Sequence, residues 1–454
     1  MIPLGRWLAI GSPEEGWLSD HLEVRPDAGP PGSMVLTGAG GRAAADDRAQ
    51  TGWHPAPFPA ASASTSSSRL GTEAGEAESG RPRRVRELDA LRGLAACAVL
   101  VHHNLASTDL LGGPLRDLVI ASPLRVVESG RPAVLFFFVL SGFVLARALG
   151  GTRLAWAEFA SWVLQRSVRL LVPAMAAVLV SAALYVLTGH DAWPGEARWL
   201  RETVWNSSLS WRSLVSQGVL AAPDGSYGLD NVLWSLAVEW RVSLFLPLVA
   251  VPVLFRGGRG ALCPLLAAAG LSCFIGGTSS DGLYAGTSAI GAARATGYFA
   301  LPFAIGVALE RSRADGLRAD RALIACGLVA VAGLARAGGD LAVFAASALL
   351  IWLAQQPGPL RRALSHPALI WLGTVSFSLY LIHEPVLAAL HHGLHGQLPA
   401  AAILSLSMAA ALPSAWLFHV AVERPAHRLA RAVGQAPHRL RRIRPAEARA
   451  LSSA

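Results

Sequence analysis

The sequence predicts an all-α fold, a polytopic transmembrane helical bundle of about ten spans with a disordered N-terminal tail. Apolar residues make up 53% of the 454-residue chain and charged residues only 15%, against about 25% charged residues in soluble proteins. The mean hydropathy is +0.42, and apolar stretches recur with short polar gaps from residue 88 onward. This composition excludes a large soluble protein, and it excludes a wholly disordered chain, which would be poor in apolar residues.

The individual spans follow from the length of each apolar stretch, since about 20 residues cross a bilayer. We predict ten spans, at residues 88–107, 132–150, 169–188, 232–255, 261–276, 295–310, 322–337, 340–355, 367–390 and 398–421. The fifth to eighth are short, which leaves a shifted or re-entrant placement open for two of them.

The two ends of the chain differ from this middle part. Residues 1–80 are rich in Pro, Gly, Ala and Ser without periodicity, so we expect a disordered low-complexity tail. A later translation start, near Met34 or Val85, is the alternative. Residues 81–430 form the predicted transmembrane domain, and residues 431–454 a basic cytoplasmic tail.

The basic residues indicate orientation. All 39 basic residues other than histidine are arginine, and the net charge is +9. Most of them fall in alternate gaps between spans, as the positive-inside rule requires of cytoplasmic segments. We therefore predict a multi-pass membrane protein with both termini cytoplasmic. Because no soluble basic domain is evident, we expect no nucleic-acid partner.

Cysteine and histidine spacing gives little support for a metal site. The four cysteines form no CxxC pair and lie in or beside apolar runs, which is typical of small buried residues. An HHxxH cluster with possible ligand spacing occurs in a predicted outer loop, at His391, His392 and His395. No carboxylate is obviously paired with this cluster, so we predict no bound metal.

Ionisable residues inside spans are costly and indicate function. Arg92 and His103 are eleven residues apart, close to three full helical turns, so they share a face of the first span. Asp89 precedes Arg92 by three residues and is predicted to pair with it. Imidazole titrates near neutral pH, so His103 is a candidate general base.

Later spans carry further polar groups. Ser235 and Glu239 share a face of the fourth span, and we expect Glu239 to find its partner on another helix. Arg166 and Arg169 precede the third span. They are either topology and lipid-headgroup contacts or a phosphate-binding pair, for which guanidinium groups are well shaped.

Two more patterns have alternative interpretations. Phe136, Phe137 and Phe138 precede Ser141-Gly142 in the second span, which favours helix packing over a substrate wall. Four tryptophans in the long outer loop, about 189–230, indicate either an interfacial aromatic belt or a lid over an acceptor site. The ninth span places one polar stripe on an apolar helix, at Ser376, Tyr380 and His383.

Six segments together resemble a known family. They are RELDALRGLAACAVLVHH, FFFVLSGFVLARAL, RSVRLLVP, LWSLAVEW, FSLYLIHEP and VERP. In this order they resemble the acyltransferase-3 family of integral-membrane O-acyltransferases, over about residues 86–430. Trp240-Arg241 departs from the aromatic pair that the family places after its glutamate.

The resemblance implies transfer of an acyl group, often acetyl, from acyl-CoA to a hydroxyl of a glycan, a lipid-linked sugar or a secondary metabolite. It implies an integral enzyme of the plasma (inner) membrane, with donor contacts at Arg166 and Arg169 and no permanently bound cofactor. The oligomeric state is left open by the sequence. The implied catalytic residues are His103, Arg92 and Glu239. The implied supporting residues are Asp89, Ser141, Trp234, Ser235, Ser376, Tyr380 and His383.

A small-metabolite transporter or exporter is the alternative function, since buried His and Glu can also relay protons. Against it, the sequence has no evident inverted repeat or paired broken helices.

Overall fold

The computed structural model describes residues 85–108, 130–149, 155–222, 227–255, 289–314 and 339–437. These residues belong to one unit, 78–454. They are almost entirely helical and contain no strand, which confirms the all-α class. The α-helices are α1 (Arg86–Ala106), α2 (Gly130–Leu149), α3 (Trp156–Thr188), α4 (Arg198–Thr203), α5 (Trp211–Gly218), α6 (Leu233–Phe255), α7 (Ala289–Ala314), α8 (Asp340–Ala354), α9 (Pro359–Leu364), α10 (Pro367–Leu394), α11 (Ala400–Phe418) and α12 (Arg424–Gly434).

Five stretches of the described chain are long and apolar enough to cross a membrane. They are Gly130–Leu149, Trp156–Thr188, Ile290–Arg311, Pro367–Leu394 and Ala400–Gly434. This confirms a helical membrane bundle, while the number of ten spans stays a prediction. The predicted spans 261–276 and 322–337 lie outside the described residues, as do the N-terminal tail 1–80 and most of the C-terminal tail.

The third predicted span lies within a longer helix that begins before it. Helix α3 starts at Trp156 and continues for 33 residues to Thr188. The prediction began at residue 169 because Arg166 and Arg169 resembled a polar boundary. In the structure both arginines lie within the helix, where Arg166 pairs with a carboxylate of α6.

Helices α1 and α10 form the central contact of the bundle. Their backbones meet where two glycines face each other: a Cβ added to Gly93 would lie 2.7 Å from the backbone nitrogen of Gly373. Without side chains at these positions, the helices approach closely and their polar faces come together. Since Arg92 and His103 are on α1 and the Ser376–His383 stripe is on α10, this crossing positions the candidate site.

Helices α2 and α7 form a second close crossing. A Cβ on Gly142 or Gly306 would overlap the backbone of the opposite helix. Phe138 packs against Phe299 and Phe303 beside this contact, with ring centroids 4.9 and 5.8 Å away. The phenylalanine and Ser141-Gly142 segment therefore packs helices together, as its residue pattern favoured.

The last helices fold back on α3. Helix α11 continues through a π-helical turn, His419–Glu423, into α12. Helix α12 packs on α3, where Ser161 donates a hydrogen bond to the carbonyl of Gly434 at 2.6 Å. A π-helical turn inside a longer helix is often found at functional sites. Here it turns Glu423 towards α10, where the carboxylate accepts from Ser378 at 2.6 Å.

Candidate active site

A polar contact between α1 and α10 joins two buried histidines. His103 Nδ1 lies 3.0 Å from His383 Nε2, and the rings are stacked with centroids 5.1 Å apart. His383 Nδ1 lies 2.9 Å from the carbonyl oxygen of Leu379, one turn earlier in the same helix. The sequence placed both histidines on polar helix faces, and the structure brings the two faces together.

The hydrogen bonds determine which nitrogen carries each proton. The Leu379 carbonyl can only accept, so His383 Nδ1 carries hydrogen. In neutral His383, Nε2 is then an acceptor, and His103 Nδ1 must donate to it. His103 Nε2 is therefore the nitrogen with a free lone pair. An imidazole in this tautomer, oriented by a second group, is suited to general-base chemistry.

A buried carboxylate lies behind the histidine pair. Glu384 is fully buried, and its Oε2 is 3.9 Å from His103 Nδ1. The carboxylate accepts backbone N–H bonds from Asn231 at 3.3 Å and Val232 at 3.2 Å, just before α6 begins. The N-terminal end of a helix favours negative charge, so this position offsets part of the cost of burying the Glu384 carboxyl group.

His103 also lines a cavity of about 440 Å³. The ring of Trp199, from the long loop, lies 4.9 Å from the His103 ring, centroid to centroid. The cavity is lined by aromatic and hydrogen-bonding side chains that include His102, Arg131, Trp199, Glu202, Asn206, Tyr227, Trp234 and Tyr380. Of the two interpretations of the loop, this arrangement favours a cover over a substrate cavity, although Trp211 is 69% exposed.

Tyr380 connects the cavity to α6. Its hydroxyl is 2.6 Å from Ser235 Oγ, which in turn donates to the carbonyl of Val232 at 3.0 Å. Trp234, the neighbour of Ser235, also lines the cavity and packs edge-on against Phe138. Of the predicted supporting residues of the fourth and ninth spans, Trp234 and Tyr380 therefore line the cavity, and Ser235 is hydrogen-bonded to Tyr380.

Arg92 lies towards the other end of the α1–α10 contact. Its guanidinium donates to the carbonyl of Gly373 at 2.6 Å and to Ser376 Oγ at 2.8 Å. Asp89 is 3.4 Å away, so the predicted pairing within α1 is present. Arg92 is therefore held in place by both helices, and its partner Ser376 lies two turns before His383 on the polar stripe of α10.

Glu239 pairs with an arginine of α3. The Arg166 guanidinium donates to Glu239 and, through Nε, to Ser243 Oγ at 3.1 Å. Ser141 of α2 donates to the same carboxylate oxygen at 3.3 Å. The expected partner of Glu239 on another helix is thus Arg166. Because its charge is already paired, Arg166 is not a free cation for the phosphates of acyl-CoA.

Arg169 differs from its neighbour. It is exposed and forms no ion pair within the part of the chain that the structure describes. It lies in electrostatic range of two arginines, Arg92 and Arg166, and of two carboxylates, Glu239 and Glu423. Of the two predicted donor-binding arginines, Arg169 is the one without a carboxylate in an ion pair among the described residues.

Sequence reasoning missed two acidic residues of the site. Glu384 lies off the polar stripe of the ninth span, so the spacing of polar residues did not indicate it. Asp230 is fully buried in the turn before α6, where its sequence context resembles an ordinary polar loop. Burial, followed by the nearby charge of Glu384, raises the pKa of Asp230 well above its usual range. No signal in the sequence alone indicates this burial.

The HHxxH segment is not arranged as a metal site. His391 is 3.0 Å from Ser107 Oγ, and His392 packs between Trp193 and Trp205 with ring centroids 5.0 Å from each. Among the described residues, no group of three or more His, Cys, Asp or Glu side chains is placed to hold a metal ion.

Comparison with known proteins identifies the family. The family model described as an acyltransferase domain matches residues 85–420, most of the chain and nearly all of the described helices. The chain belongs to the acyltransferase-3 family. The matched region contains every site residue discussed above except Glu423. Neither the curated proteins nor the solved structures contained a match to the chain.

Membership of the acyltransferase-3 family establishes the general activity. The protein is a membrane acyltransferase, as the resemblance of the six sequence segments implied. Within that activity, the structure presents two ends of one helix pair. One end carries His103, His383 and Glu384 beside a cavity, and the other carries Arg92, which lies in electrostatic range of Arg169 of α3.

Proposed function

We propose that the protein transfers an acyl group, acetyl first among the candidates, from acyl-CoA to a hydroxyl of a glycan, a lipid-linked sugar or a secondary metabolite. The single observation that carries this proposal is the His103–His383 hydrogen bond beside the cavity. It supplies an oriented imidazole whose Nε2 can accept the proton of an alcohol.

In the proposed reaction, His103 Nε2 accepts the proton of the acceptor hydroxyl while the oxygen attacks the thioester carbonyl carbon. The carbon–sulfur bond then breaks, and the protonated imidazole returns the proton to the sulfur of the departing CoA. His383 accepts the Nδ1 hydrogen bond of His103 throughout and keeps the ring oriented. No covalent acyl-enzyme is needed for this proton balance.

The arginine end is the proposed docking place for the phosphates of the donor. Arg169 is exposed and unpaired among the described residues, and Arg92 and Arg166 add positive charge nearby. Guanidinium groups bind phosphate by paired, charge-assisted hydrogen bonds. From there, the long pantetheine arm would extend along the α1–α10 contact towards His103.

The cavity is the proposed acceptor site. Aromatic rings of Trp199, Trp234 and Tyr227 face a space that also contains hydrogen-bonding groups of Asn206 and Asn231. Aromatic faces combined with directional polar groups suit a ring-shaped, hydroxyl-rich acceptor such as a sugar. The approximate volume of 440 Å³ is in the usual range for small-molecule sites.

We place the enzyme in the plasma membrane with both termini and the arginine end on the cytoplasmic side, where acyl-CoA is found. The positive-inside distribution of arginines supports this orientation. Labelling of single introduced cysteines with a membrane-impermeant maleimide tests it. A cysteine at exposed Arg362 should react only in inverted vesicles, and one at exposed Trp211 only from outside the cell.

The activity is tested by incubating the detergent-purified protein with acetyl-CoA labelled on the acetyl group and a panel of methyl glycosides and lipid-linked sugars. We expect label on an acceptor and release of free CoA thiol. His103→Ala should abolish both, while His366→Asn, which preserves a helix N-cap, should retain them. Transport without any acetyl transfer would support the exporter alternative and contradict the proposal.

A further inference from the structure

Two acidic side chains are buried together beside the histidine pair. Glu384 and Asp230 are both fully buried. The backbone N–H that follows Asp230, that of Asn231, donates to Glu384 Oε1 at 3.3 Å, and the two carboxyl groups interact electrostatically. Neither acid takes part in the proton transfer of the proposed reaction. Burying polar groups in an apolar interior costs free energy, so the presence of this pair needs a reason.

The two acids differ in their hydrogen bonds. Glu384 accepts two backbone N–H bonds, from Asn231 and Val232, and lies near His103. Neither side-chain oxygen of Asp230 has a hydrogen-bond partner in the described part of the chain. Two adjacent buried carboxyl groups do not both ionise, because like charges repel strongly in a low-dielectric site. Of the two acids, Glu384 is therefore the one whose surroundings favour the negative charge, and Asp230 is the one that more readily keeps its proton.

We propose that Glu384 is a positioning residue that sets the basicity of His103, and that Asp230 acts with it as the neutral member of the pair. This inference rests on the proposed function of His103. When His103 accepts the proton of the acceptor, its imidazolium charge forms 3.9 Å from the Glu384 carboxylate. The carboxylate stabilises that charge without exchanging a proton, and Asp230 keeps its proton throughout the cycle.

Other titratable or charged groups face the same place and contribute a constant background. On α1 and α10 they are His102, whose ring is 5.4 Å from that of His103, His383 and Tyr380. Across the cavity, α2 contributes Arg131, α4 contributes Glu202 and the turn before α6 contributes Tyr227. None of these groups changes in the Glu384 variants, so a shift between variants reports on Glu384.

The experiment is the pH profile of kcat/KM for acetyl transfer, measured in detergent for the wild type and for Glu384→Gln. A general base must be unprotonated, so activity rises with pH through the pKa of the base. Removing a negative charge lowers that pKa, because a charge at about 4–6 Å shifts it by about one unit or more. We expect Glu384→Gln to move the rising limb about one pH unit lower and to reduce kcat about tenfold.

Three further variants make the test specific. Glu384→Asp, which keeps the charge, should keep the limb near the wild-type pH, and Asp191→Asn, which neutralises an exposed acid of the outer loop, should leave the profile unchanged. Asp230→Asn, which resembles a protonated acid, should move the limb less than half as far as Glu384→Gln. A larger shift in Asp230→Asn, or no shift in Glu384→Gln, would overturn the inference.

Failure of this inference is distinguishable from failure of the proposed function. If His103→Ala is inactive but Glu384→Gln keeps the wild-type pH profile, His103 is the base and Glu384 has only a structural role. If His103→Ala stays active, the proposed function itself is wrong. Should Glu384→Gln not fold, the Glu384→Asp and Asp230→Asn profiles still test the charge assignment.

Discussion

The two ends of the α1–α10 contact use different kinds of polar group. At one end, His103, His383 and Glu384 are buried, and a hydrogen bond joins the two histidines. At the other end, Arg92 and Arg166 are held by acceptors, and Arg169 is exposed. Histidine can gain or lose a proton near neutral pH, whereas arginine keeps its charge.

This difference teaches how one helix pair can separate two tasks. In the proposed reaction, the group that moves a proton lies beside a cavity, where burial affects its basicity. The groups with permanent charge lie at the proposed donor site, and their charge needs no adjustment. If the comparison is correct, variants at the histidine end should lower kcat, and variants at the arginine end should raise the KM for the donor.

The largest effect on this comparison is expected from His383→Ala. Without His383 Nε2, the Nδ1 hydrogen of His103 loses its 3.0 Å acceptor, and the imidazole is no longer held in the reactive tautomer. We expect kcat to fall about 100-fold, with the KM for acetyl-CoA unchanged. Steady-state kinetics with purified protein measures both, with His366→Asn as the control. An equal loss of donor binding would contradict the separation of tasks.

Gly373→Ala should affect both ends together. A Cβ at this position would overlap the backbone of Asp89 in α1, so the two helices must move apart. Overpacking of this kind costs about 1–3 kcal/mol. We expect a lower Tm in detergent, a lower kcat and a higher donor KM in the same variant. Gly396→Ala, in a turn beyond α10, is the comparison variant, because no atom lies within 4 Å of the new Cβ. Its φ of 74° adds backbone strain but no contact between α1 and α10.

Arg169→Gln should weaken the donor end alone. We expect the KM for acetyl-CoA to rise about tenfold, because one charge-assisted phosphate contact is lost, while kcat changes little. Arg362→Gln, at an exposed arginine of α9, removes a charge without this effect. Acetyl-dephospho-CoA, which lacks the 3′-phosphate, identifies the contact: if Arg169 binds that phosphate, the variant should no longer discriminate between the two donors.

Ser141→Ala should have the smallest effect. The hydroxyl donates to Glu239 at 3.3 Å and helps to orient the carboxylate that pairs with Arg166. One such hydrogen bond contributes about 1 kcal/mol, which corresponds to about a fivefold rise in donor KM. A fall in kcat at constant KM would instead show that Glu239 supports the chemical step and not donor binding.

Helical periodicity predicted much of the site because it is a local property of the chain. The eleven-residue spacing of Arg92 and His103 and the stripe from Ser376 to His383 each defined one face of one helix. The structure shows that these two faces meet. Periodicity alone could not predict that meeting, because the glycine contact between α1 and α10 joins residues that are far apart in the sequence.

The parts that sequence reasoning missed depend on tertiary burial. Asp230 follows a polar turn and would be exposed in most loops, but the start of α6 carries it into the interior. Arg166 resembled a residue at the end of a span because charge usually marks the membrane boundary. Glu239, 73 residues later, neutralises it inside the bundle. In both cases the deciding neighbour comes from another helix.

The central claim is that His103 performs the chemistry and does not hold the donor. The most direct test measures acetyl-CoA binding and acetyl transfer on the same preparation of His103→Ala, by isothermal titration calorimetry and by label transfer. The account predicts donor affinity within about twofold of the wild type, a difference of about 0.4 kcal/mol, and no detectable transfer. Transfer at the wild-type rate, or loss of donor binding together with transfer, would contradict it.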